Sequence, residues 1–303
     1  LLRTILVDSS PYHNGGGSAV EELAFTLAQA VEYVRKLGER GLTIDDIAAK
    51  MQFSFSIGSN LFMEIAKFRA VRMLWAKIVN AFGGNEEAQK MIIHARTSAW
   101  NKTVYDPYVN MLRGTIEAFT GAVSGVDSMH VAPFDELVQT PTEFSRRIAR
   151  NTQIILQEES HLGKVTDPAG GSWYVEALTN EVAKKAWTLF QAVEAKGGLE
   201  QAMRAGFPQE KIRAIAEKRL DNIKKRRETI VGTNRYANPS EESLAKSALT
   251  ENDNVFELRV TEVKAYRQEV GELSSINDLH VESFIKAAGT GATIGQLAKA
   301  LEK

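Results

Sequence analysis

The sequence predicts an α/β fold in which four consecutive strand–helix units precede a mainly helical region, and three observations carry that expectation. Short apolar segments rich in β-formers recur at residues 4–7, 52–56, 91–94 and 128–131. Each of the first three leads through a polar or glycine-bearing turn into a long amphipathic run. The repeat of about 37 to 48 residues accommodates the crossover helix that parallel strands require, and it is too long for the hairpins of a sandwich.

The first strand, Thr4-Ile5-Leu6-Val7, passes through Gly15-Gly16-Gly17 to a helix over 20–37. No Gly-x-Gly-x-x-Gly follows it, so the three glycines read as a tight turn rather than a phosphate loop. The second strand feeds a helix over 61–82, and the fourth runs through Pro133-Phe134-Asp135-Glu136 into a helix over 142–157. Four such units make half of a doubly wound sheet or half of a (βα)8 barrel, whose eight units take about 250 residues. His13, Ser54, His94, Arg96, His130 and Asp135 stand at or just after predicted strand ends. Barrel enzymes collect their active sites on that rim, which favours a half barrel over residues 1–147.

Residues 148–303 read as a helical linker and tail. A helix over 175–195 ends at Gly197-Gly198, a short one over 199–205 ends at Gly206 and Pro208, and a charged one spans 209–229. The run Lys224-Lys225-Arg226-Arg227 within it is flanked by acidic residues and reads as a solvated face. Helices over 252–270 and 279–288 complete the tail.

Composition narrows the function classes. The chain of 303 residues is 44% hydrophobic and 25% charged, as expected of a globular protein. Lys+Arg at 37 against Asp+Glu at 38 leaves a net charge of -1, with no basic excess for nucleic acid. The absence of cysteine excludes thiolate metal sites, disulfides and a cysteine nucleophile. No apolar run approaches the roughly 20 residues that span a bilayer, so no membrane partner and a cytoplasmic setting are expected. The chain starts at Leu1 rather than methionine, and a processed or truncated piece of a longer protein is the expectation.

Several motifs in register carry a family resemblance. Tyr12-His13-Asn14-Gly15-Gly16, Phe62-Met63-Glu64-Ile65-Ala66-Lys67, His94-Ala95-Arg96-Thr97-Ser98 and Tyr105-Asp106-Pro107-Tyr108 resemble the methylmalonyl-CoA mutase family. Pro133-Phe134-Asp135-Glu136, Arg147-Ile148-Ala149-Arg150-Asn151-Thr152, Asp167-Pro168-Ala169-Gly170-Gly171-Ser172 and Val231-Gly232-Thr233-Asn234 continue it at the family's spacing. The resemblance implies the second half of a TIM barrel, followed by a linker, in an adenosylcobalamin-dependent isomerase that interconverts methylmalonyl-CoA and succinyl-CoA. It further implies a missing N-terminal half barrel, and a large catalytic subunit as partner in a heterodimer.

The same resemblance assigns candidate site residues. His13 is the candidate for the family's catalytic histidine on the substrate thioester carbonyl. That histidine stands in Tyr-His-Met-Gln-Glu-Ala-Gly and, counted back without gaps from Glu22-Leu23-Ala24, coincides with Pro11. His13 takes the role only with a two-residue deletion in the turn, and otherwise serves as a turn hydrogen bonder. The catalytic Arg-x-Ser-Phe-Phe becomes Lys50-Met51-Gln52-Phe53-Ser54, so Lys50 and Gln52 replace residues that contact CoA. Lysine keeps the charge but lacks the planar fork of arginine. The catalytic His-Cys-Gln-Thr-Ser becomes His94-Ala95-Arg96-Thr97-Ser98, which puts a cation where glutamine stands, with Asp106 as a candidate partner. His130 matches the last strand's motif.

Lys50, Gln52, His94, Arg96 and His130 are therefore the candidate acyl-CoA-binding residues, in a barrel whose departures point to the small, non-catalytic subunit. An active acyl-CoA mutase fragment and a pure interaction module that stabilises the mutase are the alternatives. A zinc site built from His13, His94 and His130 lacks carboxylates at tight spacing, and no metal is expected. Asp278-Leu279-His280-Val281-Glu282-Ser283 imitates the cobalamin-binding Asp-x-His-x-x-Gly, but serine replaces its glycine and only 20 residues follow. Adenosylcobalamin is thus expected in the complete complex and not on this chain alone, with Asp278 capping a linker helix.

Overall fold

A computed structural model describes residues 2–240, 253–270 and 280–301. These fall into two compact units, 1–245 and 246–303. The first is built on a four-stranded parallel sheet in the order β1 (Ile5–Asp8), β2 (Met51–Ile57), β3 (Ile93–Thr97), β4 (Ser128–His130). Sequential order with a helical crossover between neighbours is the arrangement of half a (βα)8 barrel.

The strands alternate along most of their length, although β2 ends in a fully buried run that includes Ser56. Val7, Phe53, Phe55, Ile57, Ile93 and Ala95 are buried beneath helices, while Leu6, Gln52, Ser54, His94 and Arg96 point to the opposite, open face. The helical layer consists of α1 (Ser10–Asn14), α2 (Ala19–Gly38), α3 (Ile44–Lys50), α4 (Leu61–Ala81), α5 (Val109–Val123) and α6 (Glu143–Ile154). Side chains capable of capping stand where the sequence turns helical. Ser18 and Glu21 form a reciprocal capping box on α2, Thr43 caps α3 through the Asp46 amide, and Asn60 caps α4 through the Met63 amide. Aromatic packing joins sheet to helix: the Phe53 and Trp75 rings meet edge to face at 4.9 Å, and Phe55 meets Phe68 at 6.1 Å.

Most elements shift by a few residues from the expected boundaries, and two departures have a clear cause. The third strand begins at Ile93 rather than Met91, because the Met91 carbonyl accepts from Arg72 Nη1 at 2.7 Å and pairing with β2 starts at Phe53 and Ile93. The expected loop at 11–14 closes into the short helix α1, with Pro11 in its first turn and Gly16 in the left-handed region beyond it.

Beyond the sheet, α7 (Trp173–Glu194), α8 (Leu199–Arg204) and α9 (Phe207–Lys224) follow. α7 lays Val182, Ala186, Phe190 and Val193 into the same core as α2 and α4. Arg69 clasps Asp167 and, at 2.6 Å, Glu176 on α7. Past residue 160 the described residues contain only an isolated bridge, Val231 to Arg235. The second unit holds α10 (Asp253–Val270), α11 (Val281–Gly289) and α12 (Ile294–Leu301). The expected cap Asp278 lies outside the described residues, and His280 opens α11 without a side-chain cap. No helix among the described residues is long and apolar enough to cross a membrane.

Candidate functional site: the open sheet face and the buried network behind it

Parallel register sorts the open face into rows. Leu6 stands beside Gln52; Asp8, Ser54, His94 and Ser128 form the next row; Ser56, Arg96 and His130 form the row nearest the strand ends. Gln52, His94, Arg96 and His130 therefore share one surface, as an alternation of period two requires of residues paired in register. Ser54 and His94 sit within their strands, below the rim where the sequence put them. Lys50 ends α3 ahead of β2, and its carbonyl accepts the Thr4 amide at 3.1 Å. It is not a member of the rows.

Arg96 is half exposed and its ion-pair partner is Glu136, from the loop after β4, rather than Asp106. His94 Nδ1 is 2.8 Å from Ser128 Oγ. Partial burial and then the Arg96 charge depress the pKa of both His94 and His130. The face presents hydrogen-bonding groups around one cation that is already neutralised.

His13 lies elsewhere. It is 4% exposed, with Nδ1 3.0 Å from Glu22 Oε2 and Nε2 2.7 Å from Ser98 Oγ. The carboxylate can only accept, so Nδ1–H donates to Glu22, while Nε2 is hydrogen-bonded with the Ser98 hydroxyl. Both ring nitrogens are thus engaged, among the segments that follow the strands. Glu22 also accepts from Ser9 Oγ at 2.6 Å, from the Ser56 amide at 3.1 Å and from Lys67 Nζ at 2.9 Å. Lys67, fully buried, donates to the Ser56 carbonyl at 2.6 Å and lies 2.6 Å from Glu64 Oε2. Burial pushes the Glu22 pKa up, but Lys67 and His13 outweigh it and hold the carboxyl at about 2. Burial likewise opposes the Lys67 charge, and Glu22 and Glu64 raise its pKa regardless. The network ties the segments after β1, β2 and β3 to α2 and α4.

Sequence reasoning missed Glu22, Lys67 and Ser98 as a group, because they come from separate units and only the fold joins them. Charged residues at buried positions of an amphipathic helix, as Glu22 is on α2 and Lys67 on α4, are the one signal that could have found them. A second missed pair is Lys102 and Glu117, with Nζ 2.6 Å from Oε1. Burial shifts each toward its neutral form, lowering the lysine and raising the glutamate.

Among the described residues no group of three or more His, Asp or Glu side chains could hold a metal ion. The three histidines of the zinc reading are not grouped: His94 and His130 stand on β3 and β4, while His13 is buried against Glu22 and Ser98. His280 stands at the head of α11, a helix of nine residues.

A four-stranded parallel sheet in sequential order, joined by helical crossovers, defines half of a βα barrel. The family model for methylmalonyl-CoA mutase matches residues 1–303, and the chain belongs to that family. It is 38% identical over 314 residues to the methylmalonyl-CoA mutase of Cereibacter sphaeroides, covering 98% of this chain and 44% of that one. It is 43% identical over 254 residues to the methylmalonyl-CoA mutase small subunit of Porphyromonas gingivalis, covering 83% and 41%. The large subunit of the same organism is 37% identical over 315 residues, covering 98% and 44%. The chain spans less than half the length of these curated relatives.

Proposed function

We propose that this chain is a small-subunit-type, non-catalytic component of a methylmalonyl-CoA mutase that isomerises methylmalonyl-CoA and succinyl-CoA. The observation that carries the reading is the Arg96–Glu136 ion pair, formed where the resemblance implies a neutral glutamine in the catalytic pattern. A pair already satisfied on the open face fills space and presents no free charge to an acyl-CoA carboxylate. The burial of His13 points the same way. So does the higher identity to the small subunit of Porphyromonas gingivalis, 43% against 37% for the large one, although the aligned spans differ.

In this reading residues 1–147 are the second half of the barrel and residues 148–303 the helical linker. A preceding half barrel completes the sheet at β1 and β4, and the large subunit is the catalytic partner in a cytoplasmic heterodimer. Adenosylcobalamin supplies radical chemistry in the complete complex. This chain's residues do no more than close and stiffen a barrel, with Gln52, His94, Arg96 and His130 as its polar filling and Lys50 below it.

Steady-state kinetics of the reconstituted heterodimer test the proposal. Arg96→Gln leaves kcat/KM within about twofold of the parent, whereas a substrate-binding arginine costs roughly 30- to 1000-fold. A loss in that range with assembly intact favours the active-fragment reading and sinks this one.

A further inference from the structure

The cavity between α5 and the segment following α9 plays no part in the proposed function. It holds about 360 Å³, within the range of small-molecule sites. Leu112 and Ile116 of α5, Ile223 of α9 and the following Ile230 make its walls apolar. Leu112 and Ile116 are 68% and 53% exposed there, large apolar groups with little cover.

Two guanidinium groups line this apolar space. Arg219 lies over the Trp100 ring, 4.8 Å from its centroid, and donates long hydrogen bonds of 3.4 and 3.3 Å to the Gly16 and Gly17 carbonyls. Arg113 donates to Thr103 Oγ1 at 2.8 Å, Asn110 Oδ1 at 2.7 Å and the Val231 carbonyl at 2.5 Å. Every one of these acceptors is neutral. Carboxylates act on the two charges through space, Glu117 and Asp106 on Arg113 and Glu228 and Glu64 on Arg219, while burial disfavours both cations. Half-buried guanidinium groups hydrogen-bonded to neutral dipoles gain from an anion that brings its own charge into contact.

The other charges set the size of that anion's charge. Glu117 lines the same space but is neutralised by Lys102 and bonded by Asn101, and Glu228 stands beside it. A doubly charged phosphate would face both glutamates. A carboxylate brings one charge and matches the planar guanidinium fork.

We propose that this cavity binds a small amphipathic monocarboxylate, its carboxylate at Arg113 and Arg219 and its hydrocarbon chain along Leu112, Ile116 and Ile230. The site is separate from the open sheet face, so it stands or falls independently of the mutase assignment. Octanoate is the probe, titrated by calorimetry and by tryptophan fluorescence into the full-length protein that carries this chain, in its native assembly. Saturable binding is expected, with Trp100 quenching. Arg219→Gln weakens it by about tenfold or more, as loss of a charged hydrogen-bonding partner should. Leu112→Glu, at an exposed position that folding tolerates, abolishes it and decides the matter if Arg219→Gln fails to fold. Butyrate, lacking the chain, and octan-1-ol, lacking the charge, bind more weakly than octanoate. Absence of saturable binding, octanoate affinity unchanged by Leu112→Glu, or octan-1-ol binding as well as octanoate each overturns the site.

Discussion

A buried charge is stable only while its partners last, and Glu22 shows how much one residue can carry. It accepts from Ser9, His13, Ser56 and Lys67 in a region closed to solvent. Replacing it with glutamine leaves Lys67 with Glu64 as its remaining acidic partner and breaks the His13 orientation. Breaking a buried pair in this way costs about 3–5 kcal/mol. Denaturant melts of Glu22→Gln are expected to show that loss, and a change below about 1 kcal/mol contradicts the assigned role. The sign of the pH dependence follows from the depressed pKa of about 2 against the ordinary 4.5. Glu22 contributes its stabilisation fully above the unfolded value, and that part is lost as pH falls from about 4.5 toward 2. Thermal melts across that window should slope more steeply for the parent than for Glu22→Gln; parallel slopes would contradict the assignment.

Among the elements, β2 sits between two strands and under α4, and its two phenylalanines pack against rings of that helix. Phe53 is 1% exposed and meets Trp75 edge to face. Phe53→Ala opens a cavity there and should cost about 3–5 kcal/mol by equilibrium unfolding. The value would be small only if α4 collapsed onto the gap. The helices at residues 20–37, 61–82 and 175–195 were legible because apolar periodicity and capping residues agree with the tertiary packing. The short helices α1 and α3 were not, since pieces of five and seven residues have too few turns to show a period.

On the scale of the molecule, the sheet ends at β1 on one side and β4 on the other, and its inner face is open. Unpaired strand edges recruit partners. Adding the proposed N-terminal half barrel should slow amide hydrogen exchange at residues 5–8 and 128–130 while leaving the central β2 unchanged. Unchanged exchange at both edges on complex formation argues against barrel completion.

The sequence by itself determined the four parallel βα units, the helical region after them and the family, because these rest on local periodicity and on motifs read in order. It also placed Gln52, His94 and His130 on strands and Arg96 just past one, and a period of two puts all four on one face once β3 runs on to Thr97. Only the tertiary structure decided which partners they meet. Glu136 rather than Asp106 pairs with Arg96, and His13 turns inward to Glu22 and Ser98, from residues 9 and 85 positions away. Side-chain partnership across such separations is set by the register and closure of the sheet, which no local pattern encodes. The cavity beside Arg113 and Arg219 has the same origin, since α5 and α9 meet only once the chain has folded back on itself.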